Sequence, residues 1–314
     1  MIDIKPHDAS ADPTYWNSPE QSELRSTTKL LADMESARIA LEPLTQSLPA
    51  ARSVVRALRR SAAFIEKPLA IAIFGEFNTG KSSLANMLIG HNAMPTAVVA
   101  CTRRPTRTYF ASEQVITTFD RQGHGSRIGD NRSSTSEAVR IDVGLPEESL
   151  INREIWDTPE ATSAGSVAHF LRLFRKWPDV AIWCTSSTQA WKESERETWT
   201  QLPQVLRNNS ILVVTFSDLL ASDDERKSVM RRLRDVANGA FGSIVMICAQ
   251  PDDPLVSADE SQQSVSLEDW AGRAALDTAL DKARAQTLKV RTAAVRGMLA
   301  RRSGIKLAQL DRSV

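Results

Sequence analysis

Apolar residues change their spacing twice along the chain. Up to about residue 66 they recur at three- and four-residue steps, between about residues 69 and 248 they form short continuous runs, and from about residue 267 the wider spacing returns. The wider spacing predicts helices with one apolar face, and short apolar runs between turn residues predict buried strands. The sequence therefore predicts a central α/β region that is preceded and followed by helices.

The N-terminal helices have start and stop signals. Ser18 precedes Pro19, the usual order of an N-cap residue and the first residue of a helix. Residues 1–17 show no periodicity and are expected to form a disordered tail. Pro43 and Pro49 are expected to kink or end the first helix, so that a second one follows. The predicted apolar faces consist of Leu24, Leu31, Met34, Leu41 and Leu44 in the first helix and of Val54, Val55, Leu58, Ala62 and Ile65 in the second.

The central region alternates between strand-type and helix-type segments. Strands this apolar, with helices between most of them, predict a mostly parallel sheet with helices on both faces. The predicted helices lie near residues 81–90, 166–177, 192–207 and 223–239. The predicted strands are Leu69–Phe74, Thr108–Ala111, Val115–Phe119, Val139–Val143, Glu154–Asp157, Val180–Cys184, Ile211–Thr215 and Ile244–Cys248.

Beyond residue 250 a loop-type segment precedes one long helix. Residues 251–265 are rich in Pro, Asp, Ser and Gln and predict a linker, and the helix is expected to run from about Leu267 to Arg302. Its basic residues form either a solvated face or a contact surface for an anionic membrane or an acidic partner helix. The predicted apolar face consists of Leu276, Leu280, Ala283, Val290, Ala294 and Met298, and the predicted basic face of Lys282, Lys289 and Arg296 with Arg284 and Arg291.

The composition favours a globular protein of a reducing compartment. Lys and Arg number 39 against 38 Asp and Glu, so the formal net charge is +1 and nucleic-acid binding is not expected. The three cysteines have no CxxC or metal-ligand spacing, which is typical of free thiols. The sequence shows no signal-peptide pattern and no apolar stretch of bilayer length, so a cytoplasmic location is predicted, with peripheral contact at the inner face of the membrane left open.

A phosphate-binding loop follows the first predicted strand. Residues 75–82 read Gly-Glu-Phe-Asn-Thr-Gly-Lys-Ser and match the pattern G-x-x-x-x-G-K-[ST], in which backbone N–H groups surround phosphates at the start of a helix. In this pattern Lys81 contacts the β- and γ-phosphates and the Ser82 hydroxyl binds Mg²⁺. The flanking strand and an apolar helix face make a chance match improbable, so the sequence predicts a P-loop nucleotide-binding protein.

Three further residues occur in the order that a Mg²⁺-nucleotide site requires. Such a site needs a hydroxyl from a loop, a carboxylate at the end of a neighbouring strand and an element that reads the base. Thr102 follows a loop, Asp157 ends a predicted strand, and Asp218 follows the apolar run that ends at Thr215. Together with the P-loop they predict one nucleotide site.

At these positions the chain resembles the dynamin superfamily. Gly-Glu-Phe-Asn-Thr-Gly-Lys-Ser-Ser-Leu-Ala-Asn at 75–86 is similar to the P-loop of bacterial dynamin-like proteins, and Thr-Arg-Arg-Pro at 102–105 is similar to the switch I segment of dynamins. Asp-Thr-Pro at 157–159 and Thr-Phe-Ser-Asp at 215–218 resemble the third and fourth motifs of that superfamily. The resemblance covers about residues 68–250.

The resemblance implies a P-loop NTPase G domain with a mostly parallel central sheet, flanked by N- and C-terminal helices that form a small helical bundle. It implies GTP or GDP with Mg²⁺ as ligands. The corresponding division of the chain is a tail at 1–17, neck helices at 18–66, a G domain at 67–250, a linker at 251–265, a neck helix at 266–303 and a tail at 304–314.

The resemblance also implies roles for individual residues. Asn78 and Lys81 in the P-loop and Thr102 in switch I are the catalytic residues, and Thr102 positions the attacking water. Asp218 accepts hydrogen bonds from the N–H and amino groups of guanine, which favours GTP over ATP. The metal ligands are Ser82, Thr102 and Asp157, and the nucleotide-binding residues are Gly75, Asn78, Thr79, Gly80, Lys81, Ser82, Ser83, Phe216 and Asp218.

The implied function is Mg²⁺-dependent GTP hydrolysis coupled to homodimerisation through the G domains. A second dynamin-like or stalk-bearing protein is expected at the neck helices, and the basic C-terminal helix is a candidate for peripheral membrane contact. Two departures from the family pattern support an alternative. Glu160 stands where the third motif normally has glycine, and Phe216 replaces the usual lysine of the fourth. A nucleotide-binding scaffold with little or no turnover therefore remains the alternative, and an ATPase is a third candidate.

Overall fold

A computed structural model describes residues 19–90, 104–128, 138–159, 178–237, 239–248 and 272–303. By its contacts the chain divides into two compact units, residues 1–67 with 284–314 and residues 68–283. The sequence-based predictions for 1–17, 166–177, 251–265 and 304–314 lie outside the described residues.

The described residues form nine strands and seven helices. The strands are β1 (Leu69–Gly75), β2 (Thr106–Phe110), β3 (Val115–Phe119), β4 (Gly125–Arg127), β5 (Arg140–Leu145), β6 (Arg153–Asp157), β7 (Val180–Ser186), β8 (Ser210–Thr215) and β9 (Ser243–Met246). The helices are α1 (Pro19–Leu41), α2 (Pro49–Ile65), α3 (Lys81–Ile89), α4 (Glu193–Thr200), α5 (Gln204–Arg207), α6 (Asp223–Val236) and α7 (Arg273–Ser303).

All nine strands belong to one sheet in the order β4-β3-β5-β2-β6-β1-β7-β8-β9. The five strands from β6 to β9 are parallel, whereas β2 runs antiparallel to β6 and β3 runs antiparallel to both of its neighbours. The predicted mostly parallel sheet is thus confirmed. The carboxyl ends of β1, β6, β7 and β8 lie along one edge, which is where α/β sheets bind ligands.

Two apolar layers cover the sheet. In β1 the side chains of Ile71 and Ile73 belong to one layer, and those of Ala72 and Phe74 belong to the other. The first layer is completed by α3 and by the start of α7, and the second by four tryptophans and by α6. This two-sided burial explains why the central strands are continuous apolar runs.

One predicted helix is divided and one strand was missed. The segment 192–207 forms two helices, α4 and α5, because Pro203 has no backbone N–H and restricts the residue before it to extended conformations. Strand β4 consists only of Gly125, Ser126 and Arg127, which carry no apolar signal.

The first unit is a cluster of α1, α2 and the later part of α7. Leu30, Met34, Leu58 and Ile65 pack with Val295, and the hydroxyls of Thr27 and Thr292 lie 3.2 Å apart. Helix α7 is shared between the units, since residues 273–283 belong to the second unit. Among the described helices, none has both the length and the apolar character needed to span a bilayer.

The predicted faces of α7 are partly wrong. Val290 is 57 % exposed and Ala294 is exposed, whereas Arg291, assigned to the basic face, is buried. The Arg291 guanidinium donates hydrogen bonds to the carbonyls of Ile65 and Lys67 at the end of α2. In this part of α7 the buried residues Thr287, Arg291 and Val295 follow one another at four-residue steps, so Val290 lies outside the face that they form.

Two matched substitutions in α7 test this packing. Val295→Ala removes methyl groups from a fully buried side chain and is expected to lower the free energy of unfolding by about 1.5–3 kcal/mol. Val290→Ala, the same change at an exposed site, should alter it by less than about 0.5 kcal/mol. Denaturant unfolding followed by circular dichroism provides the comparison, and equal losses would contradict the assigned face.

Candidate nucleotide-binding site

The P-loop connects β1 to α3 and requires glycine at two positions. A Cβ atom on Gly75, which has φ +150°, would lie 2.5 Å from the Cys184 carbonyl oxygen and 2.7 Å from the Thr79 hydroxyl oxygen. Gly80 has φ +78° and precedes the first residue of α3. Side chains at these sites would clash or be strained, so the two glycines fix the course of the loop.

The remaining loop residues arrange their polar groups around one carbonyl. The Glu76 carbonyl accepts hydrogen bonds from the Lys81 ammonium at 2.6 Å and from the Thr79 hydroxyl at 2.9 Å. Asn78 is exposed and has φ +56°, a conformation that asparagine adopts more readily than most residues. The loop thus places Lys81 beside the N-terminus of α3, a favourable setting for an anion.

Ser82 and Asp157 meet at the edge of the sheet. The Ser82 hydroxyl donates a 2.8 Å hydrogen bond to Oδ2 of Asp157, at the end of β6. Oδ1 of Asp157 is buried and has no hydrogen-bond partner among the described residues. Burial raises the pKa of Asp157, and the Ser82 hydrogen bond and the charge of Lys81 oppose that rise.

The end of β8 contacts the P-loop directly. The Thr215 hydroxyl lies 2.9 Å from the Thr79 carbonyl oxygen and 3.1 Å from that of Thr185, so it bridges the loop and β7. Phe216 follows with φ +57°, and its carbonyl accepts a 2.6 Å hydrogen bond from Ser187. These contacts hold the fourth motif against the phosphate loop.

Asp218 is exposed at this end of the sheet and has a thiol beside it. Sγ of Cys248 lies 3.4 Å from Oδ1 of Asp218. Burial, followed by the hydrogen bond to Asp218, raises the pKa of the Cys248 thiol, which therefore stays protonated and serves as a donor. The structure thus brings Cys248, two residues after β9, to the predicted base-reading carboxylate.

A second set of contacts was not anticipated from the sequence. Glu76, next to Gly75, accepts a 2.6 Å hydrogen bond from the Ser194 hydroxyl and lies 3.4 Å from the Lys192 ammonium. We call these three residues the Glu76 tether. No sequence signal identifies it, because the second position of the P-loop pattern accepts any residue and the partners lie more than a hundred residues away.

A buried carboxylate fixes the segment that carries two residues of the tether. Glu195 is 1 % exposed and accepts hydrogen bonds from the indole N–H of Trp183, the Thr185 hydroxyl and the backbone N–H of Lys192. Burial raises the pKa of Glu195, and its three donors oppose that rise. The start of α4, which carries Ser194, is thereby fixed to β7.

Ion pairs join the strands on the other side of β6. Arg107 in β2 donates to Glu154 in β6 at 3.0 Å and to Asp142 in β5 at 3.1 Å. Arg140 donates to Asp142 at 2.8 Å. Buried charges require such partners, so this network sets β2 and β5 beside the strand that ends at Asp157.

The structure brings most of the predicted site residues together. The phosphate-side and base-side sets lie on adjoining loops at one edge of the sheet, whereas Thr102 and Glu160 lie outside the described residues. The described members are Gly75, Asn78, Thr79, Gly80, Lys81, Ser82, Ser83, Asp157, Phe216 and Asp218.

Comparison with known proteins identifies relatives of this region. Residues 71–217 match the family model described as the dynamin family. Dynamin-like protein 2 of Campylobacter jejuni is 28 % identical over 203 residues, which are 60 % of this chain and 32 % of the relative. The isoniazid-induced protein IniC of Mycobacterium tuberculosis is 31 % identical over 117 residues, 34 % of this chain and 24 % of the relative. The chain thus spans a third or less of the curated relatives it matches.

A solved structure supports the same fold. It is described as an oligomerised bacterial dynamin pair that provides a mechanism for the long-range sensing and tethering of membranes. It aligns with a TM-score of 0.52 and 20 % sequence identity over 79 % of this chain and 40 % of that one. The matched P-loop region and the shared fold agree with the motifs at 75–86, 157–159 and 215–218, so residues 71–217 are similar to the dynamin family in sequence and to a bacterial dynamin in fold.

Proposed function

We propose that this protein binds GTP together with Mg²⁺ and hydrolyses the bond between the β- and γ-phosphates. The observation that carries the proposal is the bridge from Thr215 to the Thr79 carbonyl, because it joins the phosphate loop to the segment that ends in Asp218. Because the phosphate loop and the base-side segment are in contact, they can bind the phosphates and the base of one nucleotide at the same time.

The oxygens at Ser82 and Asp157 fit a magnesium ion. Mg²⁺ prefers oxygen ligands and is usually held by one or two carboxylates together with substrate phosphates. Oδ1 of Asp157 is a buried acceptor without a partner among the described residues, and the Ser82 hydroxyl is adjacent. Thr102 is proposed as a further ligand. When bound, the ion neutralises charge that develops on the phosphate oxygens.

The phosphate loop supplies the positive environment for the reaction. Lys81 and the N-terminus of α3 lie on the same side of the loop, so both favour phosphate oxygens there. Water attacks the γ-phosphorus, the bond to the bridging oxygen breaks, and GDP and phosphate leave. Thr102 is proposed to orient the water, and the exposed Asn78 is proposed to complete the hydrolytic site.

Guanine recognition is proposed to rest on Asp218. Its carboxylate can accept hydrogen bonds from the ring N–H and the amino group of guanine, and adenine has no such donor pair. The Cys248 thiol beside Oδ1 holds the carboxylate in place. The aromatic ring of Phe216 lies where the family has lysine and is proposed to stack on the base.

Homodimerisation through the nucleotide face is proposed as the step that GTP controls. Phe77 in the P-loop is 64 % exposed and Leu219, next to Asp218, is 61 % exposed, so two large apolar side chains stand beside the site. The similar solved structure is described as an oligomerised pair. A second dynamin-like protein at the neck helices is proposed on the same basis.

Peripheral membrane contact is proposed for helix α7. Lys282, Lys289 and Arg296 are exposed on it and recur every seven residues, whereas Arg291 is buried and is removed from the proposed surface. Regularly spaced cations of this kind favour an anionic lipid surface.

Lys81→Ala tests both turnover and pairing. The wild type should release phosphate from GTP in the presence of Mg²⁺. The variant should do so at least about 10²-fold more slowly, because removal of one preorganised group that stabilises the transition state lowers kcat by about that factor. In size-exclusion chromatography with GTP and Mg²⁺, the wild type should elute as a dimer and the variant as a monomer. Tight GTP binding without turnover by the wild type would instead support the scaffold.

Asp218→Asn tests base recognition. Loss of two charge-assisted hydrogen bonds should weaken GTP binding about 10²-fold. Xanthine has a carbonyl where guanine has the amino group, so the asparagine amide should bind xanthosine triphosphate more tightly than the wild type does. Competition with a fluorescent nucleotide measures both affinities. ATP competing as well as GTP in the wild type would contradict the role of Asp218.

Ser194→Ala tests the Glu76 tether. Removing the hydrogen bond to Glu76 should loosen the phosphate loop and weaken GTP binding about three- to tenfold, the effect of losing about 1 kcal/mol. Thr200→Ala is the control, because that hydroxyl bonds only to the Glu197 carbonyl within α4. Isothermal titration calorimetry with GTP measures the affinity of each variant. Equal affinities of the two variants would show that the tether does not contribute to GTP binding.

A further inference from the structure

A cavity of about 510 Å³ lies in the second unit on the tryptophan side of the sheet. This volume falls in the range of small-molecule sites, which are concave and combine aromatic walls with a few polar groups. None of the predicted nucleotide residues lines it. The lining consists of Trp191, Arg196, Trp199, Thr200, Gln204, Arg207, Asn208, Val236, Gly239, Ala240, Phe241 and Gly242.

Three aromatic rings form the apolar part of the cavity. The Phe241 ring lies 4.9 Å from that of Trp191 at 72° and 4.3 Å from that of Trp199 at 30°. Both tryptophans are 3 % exposed, so they are fixed by packing, and Phe241 is only partly buried. Rigid aromatic walls suit a flat apolar body such as an aromatic ring or a short hydrocarbon chain.

The polar part of the cavity is cationic. Arg196 and Arg207 contribute guanidinium groups, and none of the described lining residues is acidic. Arg196 lies 3.4 Å from Glu193 within α4, and Arg207 donates through Nε to the Leu202 carbonyl at 3.0 Å. Guanidinium groups bind carboxylates and phosphates in a planar, two-point manner, so the N–H groups of this pair that have no partner among the described residues favour an anion.

The backbone of Trp191 is held in an unfavourable conformation at this cavity. Its φ of +62° is rare for a bulky residue. Its backbone N–H donates to the Thr185 hydroxyl, and Arg232 donates to the preceding carbonyl of Ala190. Strain of this kind persists where surrounding contacts fix it and is concentrated at ligand sites.

We propose that this cavity is a second binding site, for a small anion that carries a carboxylate or sulfonate on a flat apolar body. The apolar body packs on Phe241, whose ring is held by the buried Trp191 and Trp199, and the anionic group meets Arg196 and Arg207. The site is separate from the GTP site, because no residue is shared between them.

The dye anilinonaphthalene sulfonate is a suitable probe, since it combines two aromatic groups with one anion. Titration of the full chain should give saturable dye fluorescence with one site per chain, excited through the neighbouring tryptophans. Phenylpropanoate should displace the dye, and phenylpropanol, which has the same ring and no charge, should do so at least about tenfold less well.

Matched double variants assign the signal to the cavity. Arg196→Gln with Arg207→Gln should weaken dye binding about tenfold or more. Arg231→Gln with Arg234→Gln removes the same charge from exposed positions of α6 outside the cavity and should leave the affinity for the dye unchanged. Ala240→Trp should abolish binding by filling the space while both arginines remain.

Three results would overturn the proposal: equal dye binding by the two double variants, unchanged binding by Ala240→Trp, or equal displacement by the acid and the alcohol. Circular dichroism and GTP affinity verify that each variant is folded. Because GTP binding is measured separately, failure of the GTP proposal would leave the dye result interpretable.

Discussion

The close approach of Gly75 to the Cys184 carbonyl is the constraint on which the site depends. A Cβ atom on residue 75 would lie only 2.5 Å from this carbonyl oxygen at the end of β7, so the residue has no space for a side chain. The chain then turns through Gly80 into α3. The parallel register of β1 with β6 and β7 sets Asp157 on one side of the turn and Thr185 on the other. The register of the parallel strands thus determines where the groups proposed to bind the metal and the base are placed.

Buried polar groups around this turn are satisfied by one another. Glu195 has three donors, Arg107 has two carboxylates, and Thr215 reaches two carbonyls. Each group loses hydration on burial, which these contacts offset. Among the described residues, two buried side-chain oxygens have no partner: Oγ of Ser61 in α2 and Oδ1 of Asp157. Oδ1 of Asp157 lies where the metal is proposed.

Local patterns predicted most of the fold and the phosphate half of the site. Strands such as β1 and β8 are buried on both faces, so their apolar runs are unambiguous, and the P-loop pattern is contiguous in sequence. Strand β4 has no apolar residue, so the apolar pattern missed it. The buried face of α7 includes the polar residues Thr287, Arg291 and Thr292, so the pattern of charges wrongly placed Arg291 on the exposed basic face. Contacts between distant segments, such as Glu76 with Ser194 or Cys248 with Asp218, leave no trace in a single sequence.

The position of Gly80 next to the Phe216 ring has an evolutionary consequence. A Cβ atom at residue 80 would lie 3.4 Å from the Phe216 ring and 3.4 Å from the Thr215 methyl carbon, so the phosphate turn and the base-side wall share one surface. A lineage that exchanges Phe216 for a long polar residue alters the packing behind its own phosphate loop. Because Gly80 is fixed by its backbone conformation, residues 79, 215 and 216 around it are expected to vary as a group among relatives, with the aromatic residue at 216 inherited together with the threonine that precedes it.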